Sequence, residues 1–475
     1  MKSQQAGPAQ GPQDISTAAS PHTGVRRPAP DARTIRRAVA ASAIGNATEW
    51  FDYGVYAVSV TYITHNFFPG QAGTLLALST FAFSFLIRPL GGMVWGPLGD
   101  RLGRKRVLAL TIILMSAATA LIGLLPSFSV LGIAAPVLLI VLRAIQGFST
   151  GGEYGGAATF MAEYAPDHKR GFLGSFLEFG TLAGFAFGSL IVLLGETTVG
   201  SQAMNDWGWR IPFLLAVPLG VVGLYLRTRL AETPVFQELE TAGKAEKSAT
   251  MGLRDLVVKY WPSMLTLAGL VIALNVVDYT LLTYMPTYLE GVAGLPNQTV
   301  LTIMFVAQFV MMLVIPFFGA MSDRVGRKPM WYFSLIGLFV MSIPMFMLMS
   351  NGFWWALIAF AVLGLLFIPQ LATISATFPA MFPAHVRYAG FAITYNVATS
   401  LFGGTAPLYN QAGIDAFHNP LVPAFTMMAA CVVGLVAVRF MRETVGASLR
   451  GTELPEGRPQ SAVRTKRARV ATRNG

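Results

Sequence analysis

Apolar stretches of the length a membrane-crossing helix needs, about 20 residues, recur along almost the whole chain. They are predicted at 38–64, 73–98, 106–125, 131–157, 170–194, 208–228, 260–289, 298–320, 329–349, 352–377, 387–408 and 420–440. The longest polar interruption, 229–259, divides these twelve segments into two sets of six. The expected organisation is a tail over 1–37, a first bundle over 38–228, a central loop over 229–259, a second bundle over 260–441 and a basic tail over 442–475.

The first segment departs from the pattern. Gly45-Asn-Ala-Thr-Glu-Trp-Phe-Asp-Tyr-Gly-Val-Tyr56 puts two carboxylates, an amide and several aromatics into an otherwise apolar run. At about 100° per residue, Ser42, Asn46, Glu49, Asp52, Tyr53 and Tyr56 share one helix face, opposite Ala47, Phe51, Val55 and Val58. An ionisable group at membrane depth costs a few kcal/mol even on lenient scales, so it faces a bundle interior or a watery cavity and marks a pathway. Glu49 and Asp52 are therefore expected at the centre of the function.

Charged residues make up 12% of the 475 and hydrophobic ones 54%, against about 25% charged in a soluble chain. That composition identifies an all-α polytopic membrane protein. The net charge of +11 invites a nucleic-acid reading, but the placement of the cations removes it. With the amino terminus inside, 31 of the 34 Lys and Arg fall in cytoplasmic segments, the exceptions being Arg88, Arg143 and Arg210. Both termini are thus expected to be cytoplasmic, in the cell membrane. The lone Cys431 excludes a disulfide framework and a multi-cysteine metal site. Residues 1–37 lack the apolar core of a leader, so the first span is expected to be retained. The five histidines are scattered over tail and loop positions, which gives no catalytic set, metal site or cofactor site.

An internal repeat, G-x-x-x-D-R-x-G-R-K, occurs at Gly96–Lys105 and again at Gly319–Lys328. Each copy sits between the second and third spans of its half, which implies two parallel six-helix repeats. The spans hold five acids, Glu49, Asp52, Glu153, Glu178 and Asp278, against two bases, Arg88 and Arg143. Desolvation favours the neutral form of a carboxyl, so part-time protonation is expected and the proton is the expected coupling ion. Asn275, Asp278, Tyr279 and Thr283 in the seventh span echo the Asn46, Glu49 and Tyr53 face of the first. The two faces are expected to meet at the midplane. Gly180, Gly184 and Gly188, at four-residue spacing, predict close helix approach in the fifth span.

At the repeated loop motif the chain resembles the major facilitator superfamily, and its span-four Arg143-Ala-Ile-Gln-Gly147 is similar to that superfamily's R-x-x-Q-G element. Within it, Gly45–Tyr56, Phe85–Gly92, Gln146–Tyr154, Ala162–Gly171, Asp206–Phe213, Leu281–Tyr288 and Phe378–Tyr388 resemble the metabolite:proton symporters, in particular those for proline and betaine. The resemblance implies twelve spans in two pseudo-symmetric bundles. It implies a gating motif in which Gly96, Asp100, Arg101, Gly103 and Arg104, with Asp323, Arg324, Gly326 and Arg327, latch the inner side. It gives Arg143 a part in switching a proton site. The superfamily's exporters carry a Gly-Pro motif in the fifth span, and no proline occurs between Gly171 and Gly200, which favours symport.

Substrate chemistry can be argued further. A betaine or proline zwitterion needs aromatic faces for its ammonium and a cation for its carboxylate. Trp50, Tyr53, Tyr56 and Tyr279 are expected to supply the first and Arg88 or Arg143 the second, with Asn46 and Asn275 beside them. Proton coupling is assigned to Glu49, Asp52, Arg143, Glu153 and Asp278. Similar patterns serve citrate, 2-oxoglutarate and shikimate, so an organic-acid symporter is the alternative; a dicarboxylate, however, wants a buried positive excess, and the acids outnumber the bases. Residues 446–475 lack the heptads of the coiled-coil extension found in some proline/betaine symporters. The basic tail leaves anionic lipid as a candidate partner alongside the surrounding membrane lipid.

Overall fold

A computed structural model describes residues 32–102, 104–151, 153–228, 253–384, 386–449 and 454–455. Every regular element there is helical. The first half holds α1 (Ala32–Val58, continued by Val60–Phe67), α2 (Gly73–Leu102), α3 (Arg104–Leu124), α4 (Ala134–Thr150 and Glu153–Tyr164), α5 (Arg170–Val199) and α6 (Arg210–Leu214 and Ala216–Thr228). The second holds α7 (Leu253–Asp278, then Met285–Gly291), α8 (Asn297–Val325), α9 (Arg327–Leu348), α10 (Phe353–Leu371), α11 (Arg387–Ala398 and Ala406–Phe417) and α12 (Val422–Phe440). Among the described residues, 8 helices are long and apolar enough to cross a membrane, or 9 if the bent pair Ser201–Gly208 and Arg210–Tyr225 is one span.

The surface is turned inside out relative to a soluble protein. Leu121, Val137, Val222, Phe317, Phe333 and Val436 are exposed, whereas Ser84, Arg143, Gln146, Thr150, Gln308 and Gln370 are buried. Water would oppose that arrangement and lipid favours it. Helix bounds differ from the predicted ones chiefly at the ends. The first helix starts at Ala32, inside the expected tail, and the segment after α12 is packed, with Thr444, Ala447 and Leu449 buried. Residues 1–31, most of the central loop (229–252) and most of the basic tail lie outside the described residues.

The glycines of α5 work as their spacing suggests. A Cβ on Gly180 would lie 2.2 Å from Ala43 O, and one on Gly184 2.6 Å from Ala47 O. The two helices therefore touch through backbone along several turns. That approach also buries the supposedly outward face of α1: Phe51, Val55 and Val58 are as enclosed as Glu49 and Asp52. Between Thr48 and Val60 the polar stripe accordingly does not separate an inward face from a lipid-facing one, whereas Ile44, a turn earlier, is exposed.

The two halves are fastened at both ends. At the end carrying the loop motifs, the Asp323 carboxylate on α8 accepts from the backbone N–H of Gly171 (2.8 Å) and Phe172 (2.9 Å) at the start of α5. Nearby, Arg387 on α11 pairs with Glu163 on α4 at 2.9 Å. At the opposite end, Asn297 on α8 donates to the Tyr62 hydroxyl (2.7 Å) and to Glu196 (2.9 Å), while Thr61 donates to Glu290 (2.6 Å). Tyr62 in turn donates to Glu196. A molecule closed at both ends holds its centre occluded.

Candidate functional site

Between the two fastenings lies an aromatic box to which both halves contribute. Trp50 meets Tyr53 with ring centroids 5.5 Å apart, Phe185 at 5.6 Å and, across the halves, Tyr279 at 6.3 Å. Phe85 completes it, 5.3 Å from Tyr53 and 5.0 Å from Tyr279 in edge-on contact, with Phe81 5.0 Å from Phe85. The Arg88 guanidinium lies 4.0 Å over the Phe85 ring and 4.9 Å from that of Tyr53. Several polar atoms here are buried without a hydrogen-bond partner: Trp50 Nε1, Arg88 Nε and Nη2, Asp278 Oδ1 and the Tyr279 hydroxyl. Buried polar groups are normally satisfied. The cluster sets a guanidinium and buried polar atoms among π faces.

Backbone irregularity positions the contribution from the second half. The α7 helix runs through a π-helical stretch, Tyr279–Tyr284, immediately after Asp278. Pro286 lacks an N–H and so cannot donate to the carbonyl one turn back, which favours such a break. A second π-helical stretch in α11, Thr399–Gly403, receives Asn275, whose amide donates to Thr399 Oγ1 (3.0 Å) and Val271 O (3.0 Å). Asn46 likewise donates within its own half, to Leu177 O (2.8 Å) and Thr181 Oγ1 (2.7 Å). The two asparagines thus brace helices in separate halves, while the faces that carry them meet through Trp50 and Tyr279.

The predicted acid–base groups fall into separate layers. Asp52 Oδ2 accepts from Gln146 Nε2 at 2.7 Å, and Gln146 Oε1 accepts from Arg143 Nη1 at 2.9 Å. Gln146 therefore stands between the arginine and the carboxylate. Arg143 also caps the Tyr56 ring at 4.1 Å, and the Tyr56 hydroxyl donates to Ala77 O (2.9 Å), so Tyr56 joins this layer to the box, its ring 5.7 Å from that of Phe81. Glu49 is buried within electrostatic reach of Arg88. The Tyr53 hydroxyl meets Thr150 Oγ1 at 3.2 Å.

In the second copy of the loop motif, Asp323 pairs with Arg327 at 2.7 Å besides capping α5, Arg324 is exposed, and Gly326 has φ +116, a conformation side chains resist. Gly103 lies outside the described residues, as do the side-chain surroundings of Gly96, Asp100, Arg101, Arg104 and Glu153. Sequence reasoning missed Phe81, Phe85 and Phe185 as box walls. The four-residue spacing of Phe81 and Phe85 in α2, ending one turn before Arg88, was the available signal.

Known proteins place the chain. It is 43% identical over 433 residues to the proline/betaine transporter of Escherichia coli (strain K12), covering 88% of this chain and 85% of that one. It is 42% identical over 431 residues to the glycine betaine/proline/ectoine/pipecolic acid transporter OusA of Dickeya dadantii, with 88% and 85% covered. For the ectoine/proline transporter ProP of Corynebacterium glutamicum the identity is 40% over 435 residues, with 88% and 86% covered. The solved structure of the proton:xylose symporter XylE, bound to 6-bromo-6-deoxy-D-glucose, superposes with a TM-score of 0.69 at 19% identity, over 88% of this chain and 98% of that one, and shares the fold. Residues 42–407 match the Major Facilitator Superfamily, and the chain belongs to that superfamily.

Proposed function

We propose that this transporter imports a zwitterionic compatible solute such as glycine betaine, proline or ectoine, driven by protons, across the cytoplasmic membrane. Twelve spans in two six-helix bundles, with both termini inside, would alternate access to the central box. Opening toward either side requires the cross-half bonds at that end to part while those at the other end hold.

The observation that carries the reading is the aromatic box with an open guanidinium edge. Trp50, Tyr53, Phe85 and Tyr279 offer π faces to a substituted ammonium, an attraction worth about 2 kcal/mol or more when desolvated. Arg88, with Nε and Nη2 unpartnered, offers two donors to the substrate carboxylate. Relatives named for proline, betaine and ectoine support the same substrate class. Glu49, Asp52 and Asp278 are the candidate proton carriers, with Arg143 acting on Asp52 through Gln146.

Radiolabelled glycine betaine, proline, ectoine and 2-oxoglutarate offered to proteoliposomes, with and without an inward proton gradient, test the proposal. Gradient-driven accumulation of the zwitterions is expected, abolished by Trp50→Ala and Arg88→Gln. Accumulation of 2-oxoglutarate alone would refute the substrate class. Insensitivity to a protonophore would refute proton coupling. Full accumulation by both Glu49→Gln and Asp52→Asn would remove those two acids from the mechanism.

A further inference from the structure

One buried acid, like Glu196 at the other end of α5, accepts a tyrosine hydroxyl at one carboxylate oxygen and a second hydroxyl at the other. Glu178, on α5, is 2% exposed. Its Oε1 accepts from the Tyr154 hydroxyl at 2.5 Å and its Oε2 from Thr181 Oγ1 at 2.9 Å. Thr181 accepts in turn from Asn46, so the carboxylate is built into the α1–α5 seam. Tyr154 is a cross-half contact as well. Its ring lies flat on Tyr395 of α11, with centroids 4.5 Å apart and planes inclined by 18°. The pair sits about one helical turn from the box toward the loop-motif end, between the box and the fastening there.

We infer that Glu178 is a proton-coupling residue that controls an aromatic gate, the Tyr154–Tyr395 stack, on the loop-motif side of the box. This rests on the proton-driven reading above and names a residue that reading does not use. An ionised carboxylate accepts at both oxygens and holds the tyrosine hydroxyl by a charge-assisted bond, which fixes the ring against Tyr395. When a proton binds Oε1 or Oε2, that oxygen becomes a donor and the bond to Tyr154 falls to roughly half its strength. The Tyr154 ring then leaves Tyr395 at lower cost, and the halves can part at this end. Water entering there takes the proton from the carboxyl group, and the restored carboxylate draws Tyr154 back as the empty carrier closes. The proton enters from the opposite end with the substrate and leaves at the gate, so none is created or consumed.

The groups facing Glu178 suit this cycle. They are Tyr154 on α4, Tyr395 on α11 and Asp278 on α7, which lies within electrostatic reach across the halves. Glu49, on the α1 helix packed along α5, lies within electrostatic reach of Arg88. Among the described residues, no cation forms an ion pair with Glu178. Two neutral donors stabilise its charge without a permanent counter-ion, which allows it to be neutralised.

Glycine betaine uptake and counterflow by Glu178→Gln, Glu178→Asp and Tyr154→Phe in proteoliposomes test the inference. For the wild type, one coupled proton at an ordinary membrane potential supports about 50-fold accumulation. In Glu178→Gln, accumulation is expected to fall to about unity and the pH dependence of uptake to flatten, while labelled-for-unlabelled exchange stays measurable. Glu178→Asp should keep a pH-dependent profile, and Tyr154→Phe should flatten it. Wild-type accumulation and pH profile in Glu178→Gln would overturn the inference. If that variant does not fold, an unchanged profile in Tyr154→Phe overturns it. A wild type that ignores the proton gradient defeats the parent reading; a proton-driven wild type with an equally driven Glu178→Gln defeats this inference alone.

Discussion

Asp323→Ala should tip the protein open at its loop-motif end. The carboxylate lies across the boundary between halves and accepts two backbone N–H bonds from the first turn of α5, at 2.8 and 2.9 Å. Its side chain is 9% exposed, so solvent screening is slight. A hydrogen bond to a charged group contributes about 2 kcal/mol net of water, so the pair contributes about 4 kcal/mol to closure, with the positive end of the helix adding to it. At about 1.4 kcal/mol per tenfold, removal shifts the open–closed ratio about a thousandfold. Asp323→Asn, which keeps one acceptor oxygen, should give about half that free energy and about a 30-fold shift.

Accessibility of a cysteine reads this shift directly. Cys431 is the lone natural thiol and is buried, so Cys431→Ala provides the background. Ser375→Cys supplies the reporter, since Ser375 is 1% exposed and packs on Gly174 of α5 across the boundary. N-ethylmaleimide should label it far faster in Asp323→Ala than in the parent, with the folded fraction monitored by size exclusion. Equal labelling rates in a folded Asp323→Ala protein would refute the role given to this carboxylate.

The remaining predictions are shorter. Asn297→Ala and Tyr62→Phe loosen the opposite end, so reporter labelling at Ser375→Cys should slow, the reverse of the Asp323 effect; faster labelling would contradict reciprocal fastening. Gly184→Val drives a side chain into the backbone of Ala47, Phe51 and Trp50; a loss of about 3 kcal/mol or more is expected, seen as a lower unfolding temperature in detergent. Arg387 holds Pro379 O, Glu163 and the Leu449 carbonyl of the segment after α12, at 3.0, 2.9 and 2.7 Å. Arg387→Ala leaves a buried carboxylate short of its cation and should destabilise by about 3–5 kcal/mol, and Glu163→Gln in that background should recover part of the loss. Arg88→Lys keeps the charge but loses the planar fork, so the apparent KM for glycine betaine should rise at least about tenfold.

Much of the architecture was legible in the chain, because burial in lipid leaves a local record. Apolar runs, the twice-written G-x-x-x-D-R-x-G-R-K and the glycine spacing of α5 each report a constraint that acts within one helix or one turn. The acids and aromatics of Gly45–Tyr56 were legible for the same reason: charge at membrane depth is costly enough to stand out against its neighbours.

Which groups meet was decided only by the tertiary structure. A helix turns about 100° per residue, so partners across helices depend on rotations that no single segment encodes. Asn46 shares the α1 polar face with Asp52, yet it is committed to α5 while Asp52 turns to Gln146 of α4. The sequence assigned both Arg143 and Asp52 to proton coupling without saying how they are joined, and the structure places Gln146 between them. Phe81, Phe85 and Phe185 had no assigned role in the sequence, and the packing of α2, α5 and α7 brings them around Trp50 and Tyr279. Asp323 looked like half of a loop latch, and its use as a cap on α5 follows from where the fold starts that helix. Sequence determined that acids and aromatics lie within the membrane; helix packing determined which of them form a box, which form a gate and which hold the halves together.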